Sequence, residues 1–412
     1  MQPRPGSLAT SGSPEEAVTT LPLTLSKVTQ RMTFAAIATG FCLATTAAHV
    51  VSTVVVAAKC RVRPRQSRPA DDANPVTVIR PVCRLDNFVK ETLASTFRLD
   101  YPNYEIIFCL ARADDPVAPI VRQLIEANPS VRARLLIGDD NRSPNPKLNN
   151  VLKGWDAAEH EWIILADSNV LMPPDYIQRM TTRWRANTGL VCSMPIGSRP
   201  ESFAASLECA FLNTFQARWQ YFGESLGLGF AQGKSMLFRR HIVDRAGGLL
   251  KALGAELAED AAVTKMVRAA GLRVHLVANP FEQPLGVRRL SEVWSRQKRW
   301  AILRRKTFPA AFLPELISGS VLPCLAGCVA AYSYGINPAW SVAGLLVVWF
   351  SAEAMLAIIA GWRVSLSMAA AAALRDLLLP GLWACAWLSD GFVWRGNAMN
   401  VEEKWVEEPD AA

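Results

Sequence analysis

The chain has 412 residues, of which 50% are hydrophobic and only 19% charged, with a formal net charge of +8. A typical soluble domain is about one quarter charged, so long apolar runs must dominate the average and a wholly soluble enzyme is disfavoured. The nine cysteines and four histidines form no CxxC or HxxxH spacing, which argues against zinc and for cysteines buried as small hydrophobes in a reducing compartment.

Residues 1–31 are rich in Ser, Thr, Pro and Gly without apolar periodicity and read as a disordered tail. Residues 32–58 contain no Asp, Glu, Lys or Arg. As a helix they would be roughly 40 Å long, enough to cross the hydrocarbon core of a bilayer with some tilt. The polar lead and the apolar length argue against a cleavable signal peptide. The linker 59–74 then brings Lys59, Arg61, Arg63, Arg65 and Arg68 before the first acid, Asp71. Such a cluster beside a span places the following domain in the cytoplasm, at the inner membrane if the cell is bacterial. Basic residues gathered there, rather than among exposed aromatics, also speak against nucleic acid as a partner.

Residues 75–305 are mixed in composition. Short apolar strands are expected at 76–81, 105–110, 133–137, 162–166 and 190–194, with amphipathic helices between them, as at 87–97 and 119–128. This alternation predicts an α/β domain whose mostly parallel sheet is covered on both faces. The stretch 203–222, rich in Phe, Leu and Trp, reads as a core helix more than as the wall of a ligand groove. Apolar density returns over 306–390, with spans expected near 316–334, 339–361 and 366–388. The third holds Arg375 and Asp376, which implies a buried pair, a re-entrant hairpin or an interfacial break. Residues 391–412 complete the chain as a tail. One N-terminal and two to three C-terminal transmembrane helices are therefore expected, and the protein is an integral membrane protein.

In an open α/β sheet, ligands sit beyond the carboxyl ends of the strands. Asp114 and Asp115 follow the second expected strand, Asp139 and Asp140 the third, and Asp167, Ser168 and Asn169 the fourth. A carboxylate there suits a hard divalent cation shared with substrate phosphates. Each can equally cap the next helix, but three such sites on one sheet favour a nucleotide-diphosphate pocket. Glu259 and Asp260 open a further helix, where acids complement the dipole or, for Asp260, serve as a general base. Arg296 and Arg299 can clamp a diphosphate or snorkel from a membrane-surface helix. Lys147 and Lys234 are weaker candidates for phosphate or sugar contact.

Six motifs occur in order: Ala113-Asp114-Asp115-Pro116, Asn145-Pro146-Lys147-Leu148-Asn149-Asn150, Asp167-Ser168-Asn169, Gly233-Lys234-Ser235-Met236, Glu259-Asp260 and Arg296-Gln297-Lys298-Arg299-Trp300. Through them the chain, over residues 75–309, resembles the ceramide glucosyltransferase family, membrane-bound inverting transferases with a GT-A-type nucleotide-sugar-binding domain. The resemblance implies a UDP-sugar donor, UDP-glucose first, and a divalent cation, Mg2+ or Mn2+. It implies a membrane lipid acceptor, ceramide first, with diacylglycerol or a hopanoid as alternatives, and no stable protein partner. By the same resemblance, Asp114 or Asp115 contacts the uridine, and Asp167, with Ser168 and Asn169, lies by the diphosphate and its metal. Lys147 and Lys234 are then second-rank donor contacts, Asp260 the catalytic base, and Arg296, Arg299 and Trp300 the lining of the pyrophosphate and acceptor pocket. Related soluble transferases often carry Asp-x-Asp where this chain has Asp167-Ser168-Asn169, which leaves direct metal ligation to Asp167. A processive polysaccharide synthase would need more spans, and a non-catalytic membrane scaffold would have lost Asp167 and Asp260.

Overall fold

The computed structural model describes residues 21–143, 145–254, 256, 258–389, 391–394 and 397–400. Among the described residues, nine strands lie between residues 75 and 305: β1 (Val76–Pro81), β2 (Tyr104–Leu110), β3 (Arg132–Ile137), β4 (Trp162–Ala166), β5 (Thr188–Cys192), β6 (Pro195–Pro200), β7 (Ser235–Arg239), β8 (Arg273–Leu276) and β9 (Phe281–Gly286). Seven form one sheet in the order β3-β2-β1-β4-β7-β5-β8, and β6 pairs with β9. The pairs β3–β2, β2–β1, β1–β4 and β5–β8 are parallel, while β7 runs antiparallel to both its neighbours. This is the mostly parallel α/β sheet expected, with β6 to β9 added. Parallel neighbours need crossover connections, supplied here by helices such as Ala118–Glu126 and Pro146–Ala157. With helices on both faces, β1, β2 and β4 are mostly apolar with nearly every side chain buried, Arg80 and Glu105 being the buried charges among them.

The first helix covers Leu21–Cys60, so helix begins ahead of the expected boundary at Met32; residues 1–20 of the expected tail lie outside the described residues. Among the described residues three helices are long and apolar enough to cross a membrane: Thr29–Cys60 within that helix, Pro338–Ala360 and Leu366–Trp387. A fourth span would require the pair Pro309–Ile317 and Val321–Ser333, bent by 47° at their break. The expected span at 316–334 is thus a broken element whose second half has 13 residues, roughly 20 Å of helix and too short to cross alone. Of the expected C-terminal tail, Gly391–Trp394 and Asn397–Asn400 pair as an antiparallel hairpin, and 401–412 lie outside the described residues.

Arg375 and Asp376 do not break their helix. Both are buried inside Leu366–Trp387, and Arg375 donates to Glu353 Oε1 at 2.8 Å and to Asp376 Oδ1 at 2.7 Å. Its other nitrogen reaches Thr214 Oγ1 at 2.8 Å and the Ala210 carbonyl at 3.2 Å. Those two residues belong to the segment expected to be core, which is buried almost throughout. It runs as a helix over Phe203–Ala210, a π-helix over Phe211–Ala217 and a helix over Arg218–Ser225. Arg375 thus binds the Ala210 carbonyl where the helix passes into the π-turn. The sheet region and the long apolar helices also share one apolar core, in which Val56, Cys60, Leu356 and Ala360 pack with Ile79, Trp155 and Phe238.

Candidate active site

The antiparallel register of β4 and β7 pairs Ala166 with Ser235. Asp167, just past the end of β4, therefore faces Lys234, just before β7, and the Asp167 N–H donates to the Lys234 carbonyl at 3.0 Å. Lys234 Nζ reaches Asp167 Oδ2 at 2.8 Å and Asn169 Oδ1 at 3.2 Å. Lys147 arrives from another direction. Asn145 caps the helix Pro146–Ala157 by accepting from the Lys147 and Leu148 N–H groups at 3.0 and 3.3 Å, with Pro146 preorganised at the first helical position. The lysine then bridges Asp167 Oδ1 at 2.9 Å and Glu259 Oε1 at 2.6 Å. Glu259 opens the helix Glu259–Ala269, and Asp260 follows it.

This chain of alternating charges sets the titration of its members. Desolvation alone would lower Lys147, but Asp167 and Glu259 hold its ammonium well above the ordinary value. Desolvation likewise pushes Asp167 up, and Lys147 and then Lys234 overcome it, keeping the carboxyl well below the usual range. Lys234 is lowered, chiefly by desolvation, with Asp167 opposing and Arg296 within electrostatic reach. Asp260 has no lysine of its own: burial first, and the Glu259 carboxylate second, push it up to about 6. A carboxylate raised toward neutral pH beside a cluster of lysines can take a proton while the lysines offer positive charge to an anion.

The structure brings Lys147, Asp167, Asn169, Lys234 and Asp260 to one end of the sheet, with Glu259 as the link. Ser168 is on the same loop, its carbonyl accepting from Thr92 Oγ1 at 2.7 Å. The other predicted residues stand apart from this ladder. Asp114 is exposed and paired with Arg112 at 2.6 Å. Asp115 accepts from the Arg84 N–H at 2.9 Å and the Val117 N–H at 3.0 Å, tying together the loops after β1 and β2. Arg296 is held by buried Glu208, and Arg299 is half-buried on the same helix, Leu290–Thr307. Trp300 packs on Ala205, Cys209, Leu212 and Leu285.

Two supporting residues escaped the sequence reading. Arg80 of β1 is buried and donates to the carbonyls of Asp167 at 2.8 Å and Val170 at 3.1 Å, which fixes the loop that carries Asp167. Glu208 is the partner of Arg296. Each is a single charge inside an apolar run, and that is the signal that could have found them, because a lone buried charge requires a partner.

Among the described residues no three His, Cys, Asp or Glu side chains are grouped to hold a metal ion. Asp167, with the Asn169 amide oxygen sharing Lys234, fits an ion of the Mg2+ or Mn2+ kind that draws most ligands from phosphates and water. The donor set does not fit a cage built by the protein.

The family model for glycosyl transferase family 21 matches residues 43–406. Ceramide glucosyltransferase 1 of Caenorhabditis elegans is 28% identical over 267 residues, 64% of this chain and 55% of that protein. The match thus spans little more than half of that relative's length. Ceramide glucosyltransferase 3 of the same organism is 26% identical over 336 residues, 79% of this chain and 72% of that protein. Among solved structures, a mannosyltransferase from Pyrobaculum calidifontis with GDP-mannose and Mn2+ is similar at 19% identity and a TM-score of 0.43, covering 85% of this chain and 97% of that one. With a match running from the first apolar helix to beyond the last, the chain belongs to glycosyl transferase family 21 and has ceramide glucosyltransferases among its relatives.

Proposed function

We propose that the protein transfers one sugar, glucose, from a UDP-sugar to the hydroxyl of a membrane lipid, ceramide first, with inversion and at the cytoplasmic face. The observation that carries this reading is Asp260, raised to about 6 and tied through Glu259 to the Lys147–Asp167–Lys234 ladder. The names of the relatives support the lipid and the sugar, and the basic cluster of residues 59–68 supports the orientation.

In this reading Lys147 and Lys234 receive the donor diphosphate, exchanging their carboxylate contacts for phosphate oxygens. Asp167 and Asn169 would hold the divalent cation, which when bound supplies positive charge against the leaving diphosphate. Holding donor and acceptor together removes much of the entropic barrier. Asp260 accepts the proton of the acceptor hydroxyl as its oxygen attacks the anomeric carbon, and the lysines stabilise the charge that develops on the departing group. A single displacement inverts the anomeric centre. Arg296, Arg299 and Trp300 carry the lipid-side wall, and Asp114 or Asp115 the uridine end.

The test is expression in a host without sugar-modified lipids, followed by mass spectrometry of the lipid extract. A lipid heavier by one hexose, absent with Asp260→Asn, is expected. Well-folded protein that leaves ceramide, diacylglycerol and hopanoid all unmodified in donor-supplied membranes would refute the proposal, and long sugar oligomers would indicate a polymerase.

A further inference from the structure

The linker between the first apolar helix and the sheet is pinned at two points. The Val62 N–H donates to the Ile359 carbonyl at 3.2 Å, where the apolar helix Pro338–Ala360 ends. The Gln66 N–H donates to Asp175 Oδ2 at 2.9 Å, at the entry to the helix Tyr176–Thr181. Between those points the linker, that helix and the loop joining β8 to β9 border a cavity of about 200 Å³. One water needs only about 10–15 Å³, so a lipid phosphate has room here. Arg63, Gln66, Arg179, Thr182, Arg183 and Asn279 supply the polar lining, and no Asp or Glu does. The residues of the Lys147–Asp167–Lys234 ladder do not border it.

The three arginines hold donors in reserve. Arg179 pairs through Nε with Asp175 at 2.9 Å, and its two terminal nitrogens have no partner among the described residues. Arg183 donates through Nε to the Leu276 carbonyl at 2.9 Å and through Nη2 to Glu224 at 3.3 Å, which leaves Nη1. Glu224 is itself shared with Lys59 and His275, so one carboxylate answers several bases. Arg63 is exposed and makes no hydrogen bond or ion pair among the described residues. Guanidinium groups that line one cavity without a carboxylate suit a phosphate, whose oxygens they bind in pairs.

The setting indicates what carries that phosphate. At Val62 the ends of two helices able to cross a membrane, Thr29–Cys60 and Pro338–Ala360, come together. The ends of spans lie at the level of the lipid headgroups. Val62 is 62% exposed and Ile359 40%, so apolar surface adjoins the arginines, as acyl chains require and free phosphate does not. We propose that this cavity binds the phosphodiester of an anionic membrane phospholipid, with Arg63, Arg179 and Arg183 on its oxygens. This lipid is not the acceptor. It fastens the linker to the helix Tyr176–Thr181 and so holds the sheet against the bilayer surface.

The test uses the full chain, immobilised in neutral detergent with phosphatidylcholine and titrated with phosphatidylglycerol. Retained lipid is measured by mass spectrometry after a wash in 1 M salt, where the Debye length is about 3 Å and diffuse attraction is screened. Wild-type protein should retain phosphatidylglycerol saturably. Arg63→Gln should weaken retention by about 10-fold or more, the loss of a charge-assisted hydrogen bond, with an unchanged melting point. Arg61→Gln removes the same charge two residues away, outside the cavity, and should weaken retention by no more than about 2-fold. Equal losses from the two variants, or none from Arg63→Gln, would overturn the site. Displacement of the lipid by an equal concentration of glycerol phosphate would make it a soluble-anion site and overturn the lipid assignment. Binding is read without turnover, so a failure of sugar transfer would leave this result standing, and the reverse holds too. As a second measurement, phosphatidylglycerol with a diazirine on its headgroup should label the peptides containing Thr182 or Asn279. Labelling confined to other segments would refute the site.

Discussion

Asp260 sits where its ionised form is disfavoured, and Asp260→Asn reads that cost directly. Burial, followed by the Glu259 carboxylate, moves its titration from an ordinary 3.8 to about 6. A displacement of that size corresponds to about 3 kcal/mol held against the carboxylate in the folded protein. Because the folded value lies above the unfolded one, the cost is absent below about pH 4, where both states are protonated. It grows between about pH 4 and 6 and is fully present above that window. Asparagine cannot ionise, though its amide still loses some hydration at the same place. The variant should therefore be more stable than the wild type by about 1–3 kcal/mol at pH 7.5, or about 2–6 °C in apparent melting temperature. At pH 4.5 most of that gap should close. Turnover should fall by about 100-fold or more, the usual contribution of a positioned base. Intrinsic-fluorescence melts of detergent-solubilised protein at the two pH values, with a hexose-transfer assay beside them, give both readings. A variant that melts at or below the wild type at pH 7.5, or gains as much at pH 4.5, would refute the electrostatic argument, and one that still turns over would remove Asp260 from the chemistry.

Three further predictions follow from the same ladder and from the membrane-side network. The acid limb of the wild-type rate should lie near pH 6, and Glu259→Gln should move it lower, because Glu259 holds Asp260 up; a pH–rate profile of both proteins checks this. Lys234→Met should raise the donor KM by about 10- to 100-fold, the range for a charge-assisted hydrogen bond, measured at saturating lipid. Arg375→Met leaves Glu353 and Asp376 buried without their cation and should destabilise by about 3–5 kcal/mol, seen as a lower melting point. Glu353→Gln added to that variant should recover part of the loss.

The strands that sequence located are those whose own composition declares them. Val76–Pro81 and Trp162–Ala166 are apolar runs bounded by polar turns, and their boundaries agree with expectation. Ser235–Arg239 and Arg273–Leu276 are short, and nothing local says that the first lies antiparallel between two parallel neighbours. That register is also why Lys234 looked secondary in the sequence: it stands in a loop until β7 sets it across from Asp167. Arg375 and Asp376 left three readings open because the residue that resolves them, Glu353, is on another helix. Likewise Asp114 and Asp115 are alike in sequence, and only the backbone amides of Arg84 and Val117 distinguish the one that ties loops from the exposed one. Charge pattern marked the chemistry of the site; pairing partners far along the chain were invisible to it.

The bonds from Arg375 to Ala210 and Thr214 also impose an order on biosynthesis. The sheet and its crossover helices leave the ribosome well before residue 375 does, yet the π-helical segment beneath them is completed by a side chain more than 160 residues further along the chain. Glu353 on the preceding apolar helix can take the Thr214 hydroxyl at 2.7 Å, but its buried carboxylate waits for its cation until the helix Leu366–Trp387 enters the membrane. A chain lacking that helix would be left with an unfinished interior, so quality control at the membrane can sense whether it has arrived.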